Sequence, residues 1–128
     1  MSTAYSFSEI SFFIVEENPF VRTLVTELLN QFKPQRIYTE SNFSVAIDRI
    51  PDIAPDIIFA GWTPFTDSIK LFKAIRFSPN ESLSETPIIA VTSYSEKQYV
   101  IAARDLGMNE YLTLPLSANQ FTPAFAIS

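Results

Sequence analysis

The sequence predicts an α/β protein built on a doubly wound, five-stranded parallel sheet with helices on both faces. Three observations predict it. Short, nearly unbroken apolar runs recur along the chain, segments of helical period lie between them, and the connections are short. Continuous apolar runs mark strands buried on both faces, and parallel strands need helical crossovers. The 128 residues fit one domain, with its core from about residue 10 to residue 122, because domains commonly run about 100–150 residues.

Phe12-Phe13-Ile14-Val15 is the first buried strand. Asn18 follows as an N-cap and Pro19 takes the first helical position, where its missing N–H costs nothing. Val21, Leu24, Val25, Leu28, Leu29 and Phe32 then form one apolar stripe, the first helix. Arg36 to Thr39 makes a short second strand, and Asn42 to Ile50 a second helix with Phe43, Ala46, Ile47 and Ile50 inward. Asp56 to Ala60 is the third strand, stopped by Gly61. Ile69, Phe72 and Ile75 set a third helix that ends before Pro79, and the polar stretch Ser78 to Thr86 reads as a surface loop. Pro87 opens a fourth strand, Ile88 to Thr92. Ser95 and Gln98 have capping-box spacing before a helix through Val100, Ala103 and Leu106, and Gly107 stands where a left-handed helix end is wanted. Glu110 to Leu114 is the fifth strand. A fifth helix starts at Ser117, and Pro123 cuts or kinks it.

Composition removes most enzyme chemistry. Without Cys there are no disulfides, thiolate metal sites or cysteine nucleophile, and without His there is no Ser–His triad or imidazole base. The two glycines, Gly61 and Gly107, cannot supply a glycine-rich phosphate loop. A net charge of −5 disfavours a nucleic-acid binder. No apolar run is long enough to cross a bilayer, and the first residues lack the features of a secretory signal, so a cytoplasmic protein is expected.

The stretches FFIVEENPFVRTLVTELL, PDIIFAGW, TPIIAVTSYSE and AARDLGMNEYLTLPLSANQF together resemble the CheY-like receiver domain of response regulators, from about Ile10 to the C-terminus. The resemblance implies a flavodoxin-like sandwich with strand order 2-1-3-4-5. It also implies a phosphate-accepting acidic pocket at the carboxyl ends of the strands. There an Asp takes a phosphoryl group from a phosphohistidine, two acids after strand one help hold Mg²⁺, and a Lys before a Pro neutralises the phosphate. A Ser or Thr ending strand four bonds a phosphoryl oxygen, and an aromatic on strand five changes rotamer.

On this chain the acid pair falls on Glu16 and Glu17, the phosphoacceptor on Gly61, the hydroxyl on Thr92, the aromatic on Tyr111 and the Lys on Leu114. Glycine cannot be phosphorylated and leucine carries no charge, so phosphorylation at the usual site is lost. Two carboxylates without a third make at most a weak Mg²⁺ site, and no cofactor is expected. The family's Lys–Pro bond is typically cis, which predicts a cis bond at Leu114–Pro115.

The expected protein is therefore a pseudo-receiver, not an enzyme: a phosphorylation-independent protein–protein interaction module in two-component phosphorelay signalling. Its expected partners are a sensor histidine kinase, a phosphotransfer protein or an effector, met through helix one or through the face of helix four, strand five and helix five. That second face is also the expected homodimer surface, with Phe121, Phe125 and Ile127 exposed if Pro123 shortens the last helix. One alternative is a switch phosphorylated at Thr63, Thr66 or Asp67 in the loop after strand three. The other is a degenerate remnant of a longer response regulator.

Overall fold

Every strand of the molecule lies parallel to its neighbours, in the order β2-β1-β3-β4-β5. The structure, a computed structural model, describes residues 7–63 and 66–116. A 3₁₀ turn, Phe7–Glu9, precedes β1 (Ser11–Val15) and α1 (Pro19–Asn30). There follow β2 (Arg36–Glu40), α2 (Phe43–Ile53), β3 (Ile57–Gly61) and α3 (Thr66–Arg76). After a one-turn helix, Glu81–Ser84, come β4 (Ile88–Thr92), α4 (Lys97–Asp105) and β5 (Glu110–Thr113).

Alternate side chains of each strand feed two apolar layers. Phe13, Val15, Ile58, Ala60, Ile88 and Ala90 pack beneath α2, α3 and α4, together with Ala46, Leu71, Phe72 and Ala103. Phe12, Ile14, Phe59, Ile89, Val91 and Leu112 face the other way, onto Val25 and Leu29 of α1. Since β1, β3 and β4 are buried on both sides, their sequences read as continuous rather than alternating apolar runs.

Local signals explain where the helices begin. The Asn18 side chain accepts from the Phe20 N–H at 2.8 Å and the Val21 N–H at 3.3 Å, with Pro19 at the first helical position. Asn42 caps α2 through the Val45 N–H. Helix α2 runs past Ile50 to Ile53, because Pro51 sits in its last turn and removes only one amide donor. Its end is turned by Ala54 at φ 47°, a left-handed conformation that glycine would adopt more cheaply.

Four other sequence expectations shift. Ser78 to Thr86 is not all loop, because Asn80 caps the Glu81–Ser84 turn through the Leu83 N–H. Helix α4 starts at Lys97 with Glu96 at the cap position and no side-chain cap bond, so the Ser95–Gln98 capping box is not made. Asp56 precedes β3 and spends its carboxylate on the Ser11 N–H at 2.7 Å, while Gly61 is the last residue of the strand rather than its stop. Thr66 and Asp67 open α3 and are not loop residues. The expected helix from Ser117, with Phe121, Pro123, Phe125 and Ile127, lies outside the described residues.

Arg76, at the end of α3, joins three segments. Its guanidinium donates to Gly107 O from Nε and Nη2, to Ser84 O and Thr86 O from Nη1, and to Asn109 Oδ1 from Nη2. Asn109 Oδ1 also accepts from the first amide of β4, at Ile88. Burial pushes the Arg76 pKa below its ordinary value. Gly107 (φ 95°) allows this approach, since a Cβ there would lie 2.6 Å from Arg76 Nε.

Candidate functional site

A parallel sheet gathers its strand ends, and here the carboxyl ends of β1, β3 and β4 frame a cavity of about 250 Å³. Glu16, Glu17, Gly61, Thr92 and Leu114 all line it, as do Thr63 and Ser68. Tyr111 is not part of the lining and reaches the rim through its hydroxyl. Asp67 is exposed on α3 and lies outside this cavity.

The position that lacks a side chain is not open space. A Cβ built on Gly61 would lie 2.6 Å from Glu16 Oε1 and 3.1 Å from Glu16 Cδ, so the Glu16 carboxylate already fills that place. Its other oxygen, Oε2, accepts from the Asn18 N–H at 2.9 Å. Burial, which disfavours the charged form, pushes the Glu16 pKa up, and the neighbouring Glu17 charge adds to it. The Asn18 amide and Arg22 pull the other way. Arg22 spends its guanidinium on the backbone, donating to Glu16 O at 2.8 Å and Glu17 O at 3.3 Å. It therefore steadies the turn between β1 and α1.

A family Mg²⁺ ion fits this donor set poorly. One of the two carboxylates is folded against Gly61 and bonded to Asn18. Among the described residues, no group of three or more His, Cys, Asp or Glu side chains is placed to hold a metal.

Hydrogen bonds tie the far side of the cavity together. Buried Thr92 donates to Trp62 O at 2.6 Å and accepts from the Tyr94 N–H at 3.0 Å. The Tyr111 hydroxyl donates to Tyr94 O. Burial raises the Tyr111 pKa, the hydrogen-bonding environment of Thr92 opposes this, and the Glu96 charge adds to it. The ends of β3, β4 and β5 are thus linked through the 93–95 loop. Leu114 meets the Val91 layer with its alkyl chain, and the Leu114–Pro115 peptide is cis.

Three contributors have no counterpart in the residues singled out from sequence. Ser68, buried on α3, donates to Gly61 O and accepts from the Thr63 N–H, both at 3.1 Å, closing the turn after β3. The position three residues before a helical apolar pair gave only a weak signal for it. Trp62 is fully buried, its ring 5.2 Å from that of Phe72, and its Nε1–H has no hydrogen-bond partner among the described residues. Tyr94 offers both its N–H and its carbonyl to the linked strand ends.

The response regulator receiver domain family matches residues 12–126, and the chain belongs to that family. It is 30% identical over 83 residues to the transcriptional regulatory protein KdpE of Staphylococcus aureus, a match covering 64% of this chain and 32% of that protein. The chain thus matches about a third of that relative's length. Among solved structures it resembles the BeF3-activated receiver domain of Klebsiella pneumoniae RstA, with TM-score 0.77 and 20% identity over 91% of this chain and 95% of that one. It also resembles the Vibrio cholerae chemotaxis protein CheY4, with TM-score 0.79 and 16% identity over 92% and 97%. At those identities the structural likeness speaks for the fold alone.

Proposed function

We propose that this receiver domain acts as a phosphorylation-independent protein–protein interaction module in two-component signalling, with no catalytic reaction of its own. One observation carries the reading: Gly61, which the resemblance aligns with the phosphoacceptor, has no side chain, and the Glu16 carboxylate occupies the space one would need. An acyl phosphate needs a carboxylate nucleophile with room for an incoming phosphoryl group and positive charge nearby. Here the carboxylate at that spot is hydrogen-bonded to Asn18, and Leu114 stands where a cation would be. The Thr92 hydroxyl gives its proton to Trp62 O, so the linked strand ends are satisfied without a phosphoryl oxygen.

Its partners are a sensor histidine kinase, a phosphotransfer protein or an effector, in the cytoplasm. Among the described residues no helix is long and apolar enough to cross a membrane. The start of α1 is the first docking surface, because Phe20 in its first turn is 83% exposed. The face of α4 and β5 is the second.

The test is affinity capture from native extract with the immobilised chain, with and without acetyl phosphate and Mg²⁺, and with Phe20→Ala alongside. The same partner should be held under both conditions and lost or weakened with the variant. Capture that appears only with the phosphodonor would overturn the reading.

A further inference from the structure

Three large hydrophobic side chains stand out as exposed among the described residues, and two of them lie on one layer. Val45 on α2 is 43% exposed, and Phe77, one residue past α3, is 78% exposed. Phe77 continues the last turn of α3 through its N–H to Lys73 O, which fixes its backbone at the end of the helix. Beside it a groove of about 280 Å³ runs between the C-terminal halves of α2 and α3. Ile47, Ile50 and Ala74 line the groove, Pro51 and Leu83 bound it, and Lys73 stands on its edge.

Apart from Arg49, which pairs with Glu40, and Asp67 in the first turn of α3, the exposed charges of this layer are sorted by helix. Asp48 and Asp52 are exposed on α2, and Lys70 and Lys73 are exposed on α3. Among the described residues the ion pairs are Arg49–Glu40 and Arg104–Asp105, so none of these four is paired with another of them. Both helices follow strands of one parallel sheet and therefore run in the same direction.

We infer that the α2–α3 layer is the interface of a symmetric homodimer, in which each copy lays its α2 over the α3 of the other. The occupant is a second copy because the face is complementary to itself. A two-fold axis lying in the interface and along the helices exchanges α2 with α3. Asp48 and Asp52 of each copy then face Lys70 and Lys73 of the other, and each Phe77 meets the partner's Pro51 edge of the groove. An axis across the helices would instead set acid against acid and base against base. The face is small: helices of 11 residues are about 16 Å long, which places the dimer among weak, transient associations. This face differs from the α4–β5 surface, and the inference stands apart from the phosphorylation reading.

Sedimentation equilibrium of the full chain from about 10 µM to about 1 mM tests it. A monomer–dimer equilibrium that weakens with added salt is expected. Phe77→Glu should raise the dissociation constant at least about tenfold. The pair Lys70→Glu with Lys73→Glu should be monomeric, and so should the pair Asp48→Lys with Asp52→Lys. Mixing those two proteins should restore a heterodimer, since acid again faces base at every contact. All five side chains are exposed, and circular dichroism checks that each variant keeps its fold. A chain monomeric throughout the range overturns the inference, as does a dimer indifferent to Phe77→Glu and to both charge reversals.

Discussion

Placing an aspartate on the strand end by Gly61→Asp should destabilise this protein at neutral pH. The new Cβ would sit 2.6 Å from Glu16 Oε1, well inside contact distance, so Glu16 must swing aside. Two carboxylates then share one partly buried corner with Leu114 where a cation would help. At about 4 Å and an effective dielectric near 20, their repulsion is about 4 kcal/mol. Glu16 is only half-buried and relieves part of this by turning toward solvent. The expected loss is therefore about 1–3 kcal/mol. Urea unfolding read by fluorescence is the assay, since Trp62 is the single tryptophan and is packed against Phe72. The loss should shrink in mildly acidic buffer, where one carboxyl holds a proton, and with added Mg²⁺, because three carboxylates make a better site than two. Adding Glu16→Ala to Gly61→Asp should recover most of the stability. If Gly61→Asp in EDTA at neutral pH is as stable as the parent, or Glu16→Ala gives no recovery, Glu16 does not hold that space.

Other perturbations probe the surrounding structure. Glu16→Gln should change the pH dependence of stability. Burial raises the folded-state pKa above the ordinary value of 4.5, so Glu16 contributes stability below that value and loses it as pH rises through the raised pKa. The amide has no such loss and should be the more stable protein at neutral pH, seen in urea midpoints measured across the acidic range. Arg76→Met should cost about 2–4 kcal/mol, because it strands the carbonyls of Ser84, Thr86 and Gly107 around a half-buried position. Chemical denaturation reads it, and a loss below ~1 kcal/mol would contradict the role given to this side chain. Ala54→Gly should raise stability by up to about 1 kcal/mol, since relief of the left-handed backbone outweighs the added freedom of the unfolded chain. A lower melting temperature for that variant would count against the relief.

The strands and the start of α1 were legible because their causes are local. Apolar runs such as Ile88 to Val91 and the Asn18–Pro19 pair act within a few residues. Gly107 was legible for the same reason, as a left-handed helix end. The positions of Glu16, Glu17, Gly61, Thr92 and Leu114 around one cavity follow from strand ends converging, which the order of elements already implied. What the chain did not disclose depends on side chains distant in sequence. The Asp56 carboxylate binds Ser11 across 45 residues, and Arg76 reaches Gly107 across 31. The turn of Glu16 onto Gly61 was hidden for another reason. A glycine advertises a missing side chain, whereas which neighbour fills the space depends on the length of Glu16 and the Asn18 amide that aims it. The Ser95–Gln98 spacing shows the converse: a local pattern unused because the helix begins one residue later than it requires, at Lys97 with Glu96 at the cap.

Intact-mass measurement after incubation with acetyl phosphate and Mg²⁺ tests the proposed phosphorylation-independence most directly. The chain should keep its unmodified mass while an ordinary receiver in the same tube gains about 80 Da, one phosphoryl group. An adduct of that size on this protein, at Thr63, Thr66, Asp67 or any acid of the cavity, would contradict the account.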